Sequence, residues 1–328
     1  MSTASCWLVS GGAGYIGTHV VRVLLEQGYR VVVLDDLSTG RAARIPDQVP
    51  LVQASVLDEV AVAAALRDYA VDGVVHLAAK KAAGESVQQP LRYYRENVDG
   101  MLSLLAAMQQ TQVGRLVYSS SAAVYGTPAR NPIDEDFALV PESPYGETKV
   151  IGEWLSRDAG IATGLSWVAL RYFNVAGAGD PSLGDTSVNN LIPMVFAALE
   201  RGQAPEIFGD DYPTPDGTCI RDYIHVQDLA EAHAAAVAFC MANQAADVFN
   251  VGRGIGSSVR EVMAMISDVL QRDIGSVVTA RRPGDPPAST AATARIEQVL
   301  GWRAQRDLRD MVSSAWLAWQ PGQRDASR

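Results

Sequence analysis

The chain has 328 residues, of which 48% are hydrophobic, and its formal net charge at pH 7 is −10. This length and composition suffice for a sizeable core, in one large domain or two smaller ones. An acidic chain lacks the basic face that nucleic acids and anionic membranes require, so we expect neither as a partner.

The three cysteines, Cys6, Cys219 and Cys240, are far apart and have no metal-ligand spacing. We therefore predict no metal site, and a reducing compartment suits the chain. No stretch approaches the roughly 18 apolar residues of a membrane span, and no signal-like segment opens the chain. A cytoplasmic protein is the expectation.

Two alternating patterns organise the first half of the chain. Short apolar runs predict strands at 7–10, 31–34, 73–78, 115–118 and 167–170. Helical periodicity between them predicts helices at 17–27, 58–69, 97–110 and 147–159. Continuous apolar strands separated by helices are typical of a parallel sheet that is covered on both faces. The predicted fold class is therefore α/β, with a doubly wound parallel sheet.

The composition changes after about residue 175. Loop-rich stretches at 174–190 and 209–218 precede helical patterns at 191–201, 228–243 and 258–271, and 281–290 is rich in proline. We predict a first domain at 1–173 and a second, smaller and mainly ligand-binding α/β domain at 174–328. Part of the second half, about 219–250, is expected to return to the first domain. The polar end, 320–328, is expected to fray.

A glycine-rich turn, GGAGYIG at 11–17, follows the first predicted strand directly. Its glycines permit a tight turn and close approach of the backbone to a pyrophosphate, and the following helix directs its positive end at the phosphates. An acidic pair ends the second strand, near the spacing expected for a ribose contact, and it disfavours a 2′-phosphate. This pattern predicts a Rossmann domain that binds NAD through Gly11, Gly14, Gly17, Asp35 and Asp36.

The segment SPYGETKV at 143–150 places Tyr145 and Lys149 four residues apart. Ser143 fits an N-cap and Pro144 fits the first helical position, so both side chains are expected on one helix face. A cation beside a phenol favours the phenolate, whose unperturbed pKa is about 10. The pair is therefore a candidate for proton transfer, although these residues alone fit an ordinary surface helix as well.

Several stretches together resemble one family. They are GGAGYIG, HLAAKKAAGESVQQPLRYYRENVDG, YSSSAAVYG, SPYGETK, RYFNVAGA, DYPTPDGTCIRDYIHVQDLA, FNVG and RRPGDPP. In this order, and over nearly the full length, they resemble the extended short-chain dehydrogenase/reductases, and among these the UDP-glucose 4-epimerases. The resemblance implies inversion at C4 of a UDP-hexose through transient oxidation to a 4-keto intermediate, with NAD recovering its starting state.

The resemblance also assigns roles to the catalytic residues. Tyr145 would take the proton of the 4-hydroxyl, and Ser121 would hydrogen-bond the 4-oxygen and relay the proton. Lys149 would bind the nicotinamide ribose and, with the positive nicotinamide, lower the pKa of Tyr145. In the family pattern the Tyr-x-x-x-Lys pair is catalytic, which decides against the surface-helix interpretation.

Further cofactor contacts follow from the same resemblance. They are Tyr15, Ile16, Leu77, Ala78, Lys81, Asn97 and Tyr172. One departure concerns the adenine contact, where the family often has Asp-Ile and this chain has Ser55 and Val56. The Ser55 hydroxyl can still accept from the adenine amino group, so NAD binding is expected, with a weaker adenine contact.

The substrate contacts implied by the resemblance map mainly to the second half. Besides Ser121 and Tyr145 they are Asn174, Asn190, Leu191, Ile207, Phe208, Arg221, Tyr223, Arg282, Asp285 and Ser289. The arginines match diphosphate contacts, since a guanidinium fork suits phosphate oxygens. Ser289 matches the position beside the C2 substituent, where a small residue leaves room for an acetamido group. UDP-GlcNAc and UDP-GalNAc are therefore expected as a second substrate pair.

A homodimer built on the helices near 97–110 and 147–160 is also implied. Two other classes of function stay open. One is another nucleotide-sugar enzyme of the same fold, a uronate epimerase/decarboxylase or a 4,6-dehydratase. Ala122 and Ala123 stand where a dehydratase typically has Asp and Glu, which argues against the latter. The other is a regulator that binds NAD without catalysis, and retention of both Tyr145 and Lys149 argues against it.

Overall fold

A seven-stranded parallel sheet dominates the computed structural model, which describes residues 4–282 and 284–319. In chain order the strands are β1 (Cys6–Ser10), β2 (Arg30–Asp35), β3 (Leu51–Gln53), β4 (Gly73–His76), β5 (Arg115–Ser121), β6 (Ser166–Tyr172), β7 (Asn174–Ala176), β8 (Glu206–Phe208), β9 (Ile220–His225), β10 (Ala246–Val251), β11 (Gly256–Ser258), β12 (Val277–Thr279) and β13 (Ala288–Ser289). The large sheet has the order β10-β6-β5-β4-β1-β2-β3.

The helices connect and cover these strands. They are α1 (Tyr15–Glu26), α2 (Glu59–Asp68), α3 (Ala83–Gln88), α4 (Pro90–Tyr93), α5 (Gly100–Thr111), α6 (Pro144–Thr163), α7 (Leu191–Glu200), α8 (Val226–Ala242), α9 (Val259–Leu270), α10 (Ala294–Leu300) and α11 (Leu308–Trp319). A π-helical turn, Tyr94–Asp99, leads into α5. Within the described residues, no helix combines the length and the apolar character needed to cross a membrane.

Alternating side chains of the strands fill two cores, one on each face of the large sheet. In β1, Trp7 and Val9 pack with the apolar faces of α1 and α8. Cys6 and Leu8 point the other way and pack with α2 and α5. Burial on both faces explains the continuous apolar runs in the sequence, and it confirms the predicted doubly wound α/β class.

The strand order reverses beside β1, since β2 pairs on one side of it and β4 on the other. In open parallel sheets, ligands bind outside the carboxyl ends of the strands at such a switch point. Gly11 follows β1, and Leu77 follows β4, at this edge. The glycine turn therefore stands where the topology predicts a ligand crevice.

A smaller unit stands over the same edge. Its sheet is centred on β9, which pairs with β7, β11 and β13, and a parallel pair joins β8 to β12. Side chains from α7, α9 and α11 form its core. The chain returns to the large sheet after β9, because α8 packs on α1 and β10 pairs with β6. The division of the chain at residue 173 stays a prediction.

Most predicted elements correspond to observed ones, but some differ. The stretch 174–190, predicted as loop, contains β7 and a 3₁₀ turn at Pro181–Leu183. The predicted helix at 97–110 begins inside the π-helical turn and becomes α-helical at Gly100. β7 is only three residues long and is held by pairing with β9, which local periodicity cannot indicate. The predicted frayed tail at 320–328 lies outside the described residues.

Candidate active site

The start of α6 is fixed by its own sequence. Ser143 is the N-cap, and its hydroxyl accepts the backbone N–H of Gly146 at 3.2 Å, while Pro144 occupies the first turn. A Cβ at Gly146 would lie 2.6 Å from the carbonyl oxygen of Ala123, so only glycine permits this approach. The first turn of α6, which carries Tyr145, is thereby placed against the segment that follows β5.

Ser121 ends β5 and lies beside Tyr172 in the register of β5 and β6. Its hydroxyl accepts the backbone N–H of Ala123 at 3.2 Å and is also hydrogen-bonded to the Tyr145 phenol. Burial raises the pKa of Tyr145, and the hydrogen bond with Ser121 lowers it. The sum is a raised pKa, so the chain alone does not produce the phenolate-favouring environment expected from the Tyr-x-x-x-Lys spacing.

Lys149 lies one helical turn after Tyr145 and is almost fully buried. Its ammonium donates to the carbonyl oxygen of Ser119 at 2.7 Å and stands 5.9 Å from the centre of the Tyr145 ring. Burial lowers the pKa of Lys149 to about 7, with the charge of Glu153 acting in the opposite direction. The structure thus brings Ser121, Tyr145 and Lys149 together at the carboxyl edge of the sheet.

The glycine turn forms a cradle that side chains would fill. Gly11 has φ +74°, and a Cβ there would lie 2.8 Å from the backbone nitrogen of Ala78. A Cβ at Gly17 would lie 2.1 Å from the carbonyl oxygen of Gly11. Gly14 is the N-cap of α1 and supplies no side-chain cap, which leaves the helix N-terminus available to an anion. The turn therefore fits a dinucleotide pyrophosphate.

Asp35 and Asp36 take different positions at the end of β2. The buried carboxylate of Asp35 accepts the backbone N–H of Ala13 at 3.0 Å and of Leu37 at 2.8 Å. Burial raises its pKa, whereas these two hydrogen bonds lower it. The exposed Asp36 accepts the N–H of Ser38 at 2.8 Å. Asp35 is thus tied to the glycine turn itself.

Several other predicted cofactor contacts have partners within the chain. The Tyr15 hydroxyl donates to the carbonyl oxygen of Gly177 at 2.6 Å. The Asn97 amide accepts from the Lys80 N–H at 2.8 Å and donates to the Lys80 carbonyl and to Thr148, both at 3.0 Å. Ile16, Val56, Leu77 and Ala78 contribute to the two cores, Ser55 accepts the N–H of Leu57, and Tyr172 packs beside His233.

A lysine next to the predicted one reaches towards the end of β2. Lys81 is exposed, whereas the ammonium of Lys80 donates to the Ser38 hydroxyl at 3.2 Å. The sequence offered one signal for this, two consecutive lysines after a strand end. It contains no information on which of the two faces the crevice.

A cavity of about 620 Å³ opens in the smaller unit. Eight of the predicted substrate residues line it, namely Asn174, Asn190, Leu191, Phe208, Arg221, Tyr223, Arg282 and Asp285. Ile207 points instead into the core, because successive side chains of β8 face opposite ways. Ser289 lies beside Arg221 in the register of β13 and β9 and is half-buried.

Residues that sequence reasoning missed also line the cavity. Met194 and Ala198 lie four and eight residues after Asn190, on the cavity-facing side of α7. Helical spacing from Asn190 would have found both. Cys219 and Arg201 line the cavity as well, and no local pattern indicated them.

Arg221, Arg282 and Phe208 offer the cavity groups that suit a nucleotide. Arg221 donates to the carbonyl oxygen of Pro286 at 2.8 Å and to the Asp285 carboxylate at 3.2 Å. The Arg282 guanidinium lies 3.8 Å from the centre of the Phe208 ring. Guanidinium groups suit phosphate oxygens, and an aromatic face suits a nucleobase. The cavity is therefore suited to a nucleoside diphosphate group.

A doubly wound sheet, a glycine cradle and a cluster of Ser121 with the buried Tyr145 and Lys149 define a Rossmann enzyme of the extended short-chain dehydrogenase/reductase class. The chain belongs to the NAD dependent epimerase/dehydratase family, whose family model matches residues 7–252. Among curated relatives, the UDP-glucose 4-epimerase of Azospirillum brasilense is 45% identical over 319 residues, which cover 95% of this chain and 91% of that protein.

Two solved structures have the same fold over nearly their whole length. The UDP-glucose 4-epimerase from Brucella ovis in complex with NAD has a TM-score of 0.90 and 43% identity, covering 95% of this chain and 97% of that one. The UDP-Glc/GlcNAc 4-epimerase from Campylobacter jejuni has a TM-score of 0.86 and 35% identity, covering 98% of this chain and 100% of that one.

Proposed function

We propose that this chain is an NAD-dependent 4-epimerase that interconverts UDP-glucose and UDP-galactose. The observation that carries the proposal is the position of the Ser121–Tyr145–Lys149 cluster. This cluster lies at the same sheet edge as the glycine cradle. It is also near the 620 Å³ cavity, because Ser121 pairs with Tyr172 at the end of β6, and Asn174, two residues later, lines that cavity. A nucleotide held in that cavity can therefore present its sugar to the cluster.

The residues at the sheet edge fit the cofactor. Gly11, Gly14 and Gly17 leave the space and the open helix N-terminus that a pyrophosphate needs, and Asp35 stands beside them at the end of β2. An acidic end of β2 favours NAD over NADP, since a carboxylate repels a 2′-phosphate. When bound, NAD supplies reversible hydride acceptance, which permits inversion of a centre that is not acidic.

Tyr145 is placed to hold or release a proton at the 4-oxygen of the sugar. The Ser121 hydroxyl, which is hydrogen-bonded to Tyr145, can orient that oxygen and pass the proton. Because burial keeps the pKa of Tyr145 high in the chain alone, deprotonation requires further positive charge in the site. The buried ammonium of Lys149, 5.9 Å from the centre of the phenol ring, is already present in the chain alone, so the further charge would be that of the nicotinamide of bound NAD.

The cavity is proposed to bind the UDP part of the substrate. Arg221 and Arg282 are placed to neutralise the diphosphate, and Phe208 offers a ring face for the uracil. Asp285 would contact the ribose, and Asn174, Asn190 and Leu191 complete the wall. This local cluster explains how a chain of net charge −10 binds an anionic substrate.

The alternative functions are less well supported. A 4,6-dehydratase needs an acid and a base beside C5 and C6, whereas Ala122 and Ala123 follow Ser121 here. A regulator without catalysis has no need to bury Lys149 beside Tyr145, which is costly for an ammonium. Among the residues that the structure describes, no contact in the site favours a uronate enzyme or a regulator.

Two finer features belong to the same proposal. We propose a homodimer, because Leu102 of α5 and Trp154 and Ile161 of α6 are exposed although apolar, on the helices expected at the interface. Met101, Leu104 and Met108 of α5 pack into the core of the chain itself, with Leu105 against it. We also propose a cytoplasmic location, which suits the three free cysteines.

The test is direct. Purified protein incubated with UDP-galactose should produce UDP-glucose, measured by chromatography, without added nucleotide. Denatured protein should release NAD(H), because a catalyst that must recover its own hydride gains nothing from releasing the cofactor. Absence of turnover with UDP-galactose would refute the proposed activity. Dependence on added NADP would refute the role given to Asp35.

A further inference from the structure

Asp222, in the middle of β9, is fully buried and takes no part in the chemistry described above. Its Oδ1 accepts the backbone N–H of Arg253 at 2.8 Å. Its Oδ2 accepts the backbone N–H groups of Gly254 at 2.9 Å and of Ala291 at 3.1 Å. One carboxylate therefore joins three segments that are remote in sequence.

Each of the two partner segments leads to the site. Residues 252–254 follow β10, the edge strand of the large sheet, and a Cβ at Gly252 would lie 2.6 Å from Asp222 Oδ2. Ala291 comes two residues after Ser289, at the end of the segment that begins with Asp285. Asp222 thus connects the segment 285–291 to the large sheet that carries the Ser121–Tyr145–Lys149 cluster.

The neighbour of Asp222 in β9 faces the substrate cavity. Arg221 lies beside Ser289 in the β9–β13 register and binds Asp285 and the carbonyl oxygen of Pro286. On the other side of the segment, Asn131 accepts the N–H of Thr290 and donates to the carbonyl oxygen of Ala288, both at 2.9 Å. The segment 285–291 is therefore held by Asn131 on its exposed side and by Asp222 on its buried side.

The ionised carboxylate is kept at an energetic cost. Burial raises the pKa of Asp222 to about 6, although the three N–H donors and the charge of Arg253 lower it. When a carboxyl group has a higher pKa in the folded chain than in the unfolded chain, its contribution to the free energy of unfolding is fully present only below the pKa of the unfolded chain. That contribution is lost as the pH rises through about 6. At neutral pH the carboxylate is therefore ionised, and its three backbone N–H donors help to keep it so in spite of burial.

We infer that Asp222 is a positioning residue for UDP-sugar binding, which sets the segment 285–291 against Arg221 and the catalytic cluster by accepting three backbone N–H groups. The inference rests on the proposed function for its substrate. It differs from that function in predicting an effect on affinity from a residue that touches neither substrate nor cofactor.

The variant Asp222→Asn tests the inference. An amide has one accepting oxygen, and its NH2 group would face a backbone N–H, so at least one of the three bonds is lost. We expect the KM for UDP-galactose and the Kd for UDP, measured by calorimetry, to rise by roughly tenfold. We expect kcat to change by less than about twofold and the NAD content to stay the same, because α6 and the glycine turn are untouched.

Asp228→Asn is the matched control. Asp228 is as fully buried as Asp222 and accepts the backbone N–H of Arg306 at 2.9 Å, but it holds the start of the C-terminal segment rather than 285–291. It should lower the thermal stability and leave the Kd for UDP unchanged. An equal rise in Kd for both variants would overturn the inference, and so would an Asp222→Asn variant that loses kcat at constant KM or binds UDP like wild type.

The wild-type chain provides a second arm that does not require the variant to fold. As the pH falls through about 6, Asp222 becomes protonated and can no longer accept all three bonds. The Kd for UDP-galactose, whose diphosphate has no group that titrates in this range, should therefore rise several-fold between pH 7.5 and pH 5 in the wild-type chain, and Asp222→Asn, where it folds, should lack this rise. A flat wild-type profile overturns the inference. Failure of UDP-galactose turnover with these binding effects intact would refute the proposed function alone.

Discussion

The buried ammonium of Lys149 donates a hydrogen bond of 2.7 Å to the backbone carbonyl oxygen of Ser119. This contact joins α6 to β5 two residues before the strand ends at Ser121, and it holds the lysine side chain beside Tyr145. It leaves a charged group in a site where burial lowers its pKa to about 7. Burial of the charged ammonium therefore costs folding free energy in the chain without cofactor.

A pH-dependent stability follows for Lys149→Met in cofactor-free protein. The unfolded chain keeps the lysine proton up to a pH of about 10.4, whereas the folded chain releases it near pH 7. Wild-type stability should therefore fall as the pH falls from 9 to 7, and the methionine variant should lack this loss. As the pH falls from 9 to 7, the free energy of unfolding of the variant minus that of wild type should therefore increase by roughly 2 kcal/mol. Denaturant unfolding at pH 9 and at pH 7 measures this difference. The same difference between variant and wild type at both pH values would contradict the buried, low-pKa position of Lys149.

Tyr145→Phe should lower kcat by at least about 10² while preserving fold and bound NAD, because it removes one proton-transfer group and little volume. Tyr94→Phe is the control. The Tyr94 hydroxyl donates to Glu147, which lies on α6 like Tyr145, but Tyr94 is not part of the Ser121–Tyr145–Lys149 cluster. Steady-state turnover of UDP-galactose and the circular dichroism spectrum provide the measurement. Near-normal turnover of Tyr145→Phe would mean that another group is the base.

Five strands of the large sheet, β1, β2, β4, β5 and β6, were predictable because they are buried on both faces and so form continuous apolar runs. Short strands were not, because β3, β7 and β13 have two or three residues each and exist through pairing with distant strands. β10 was also missed as a strand, since only its last three residues are buried. Helix starts were predictable where a cap is local, as with Ser143 at α6.

The site was predictable in its residue types but not in their orientations. The spacing of Tyr145 and Lys149 correctly indicated one helix face, yet the partners of Lys149 belong to β5, 30 residues earlier. Asn97 satisfies its amide on the backbone of Lys80, a tertiary contact without a sequence signal. Asp222 lies within the stretch DYPTPDGTCIRDYIHVQDLA, but its three backbone donors come from two other segments, which the sequence does not indicate. The roles of all these residues stay predictions until variants are measured.

The proposed dimer predicts an effect of charge on an exposed helix face. Trp154 is 49% exposed and Ile161 is 80% exposed, seven residues apart on α6, so they share a face. Trp154→Glu should convert a dimeric wild type to a monomer, because a carboxylate would be buried without a partner. Val60→Glu, at an exposed apolar position of α2, should leave the dimer intact. A monomeric mass of wild type by light scattering at micromolar concentration would refute the dimer.

The breadth of substrate use depends on Ser289. By resemblance this position lies beside the C2 substituent, and in the structure it is half-buried next to Arg221 of the cavity. A serine leaves the volume of an aromatic ring free, so UDP-GlcNAc and UDP-GalNAc should interconvert as well as the plain hexoses. Ser289→Tyr should abolish turnover of the acetylated pair and spare UDP-glucose and UDP-galactose, because it adds bulk only at C2. Ser289→Ala should keep both activities, since it adds no volume. Chromatographic assays of both pairs decide the matter: inactivity of wild type on UDP-GlcNAc, or its retention in the tyrosine variant, would remove Ser289 from this role.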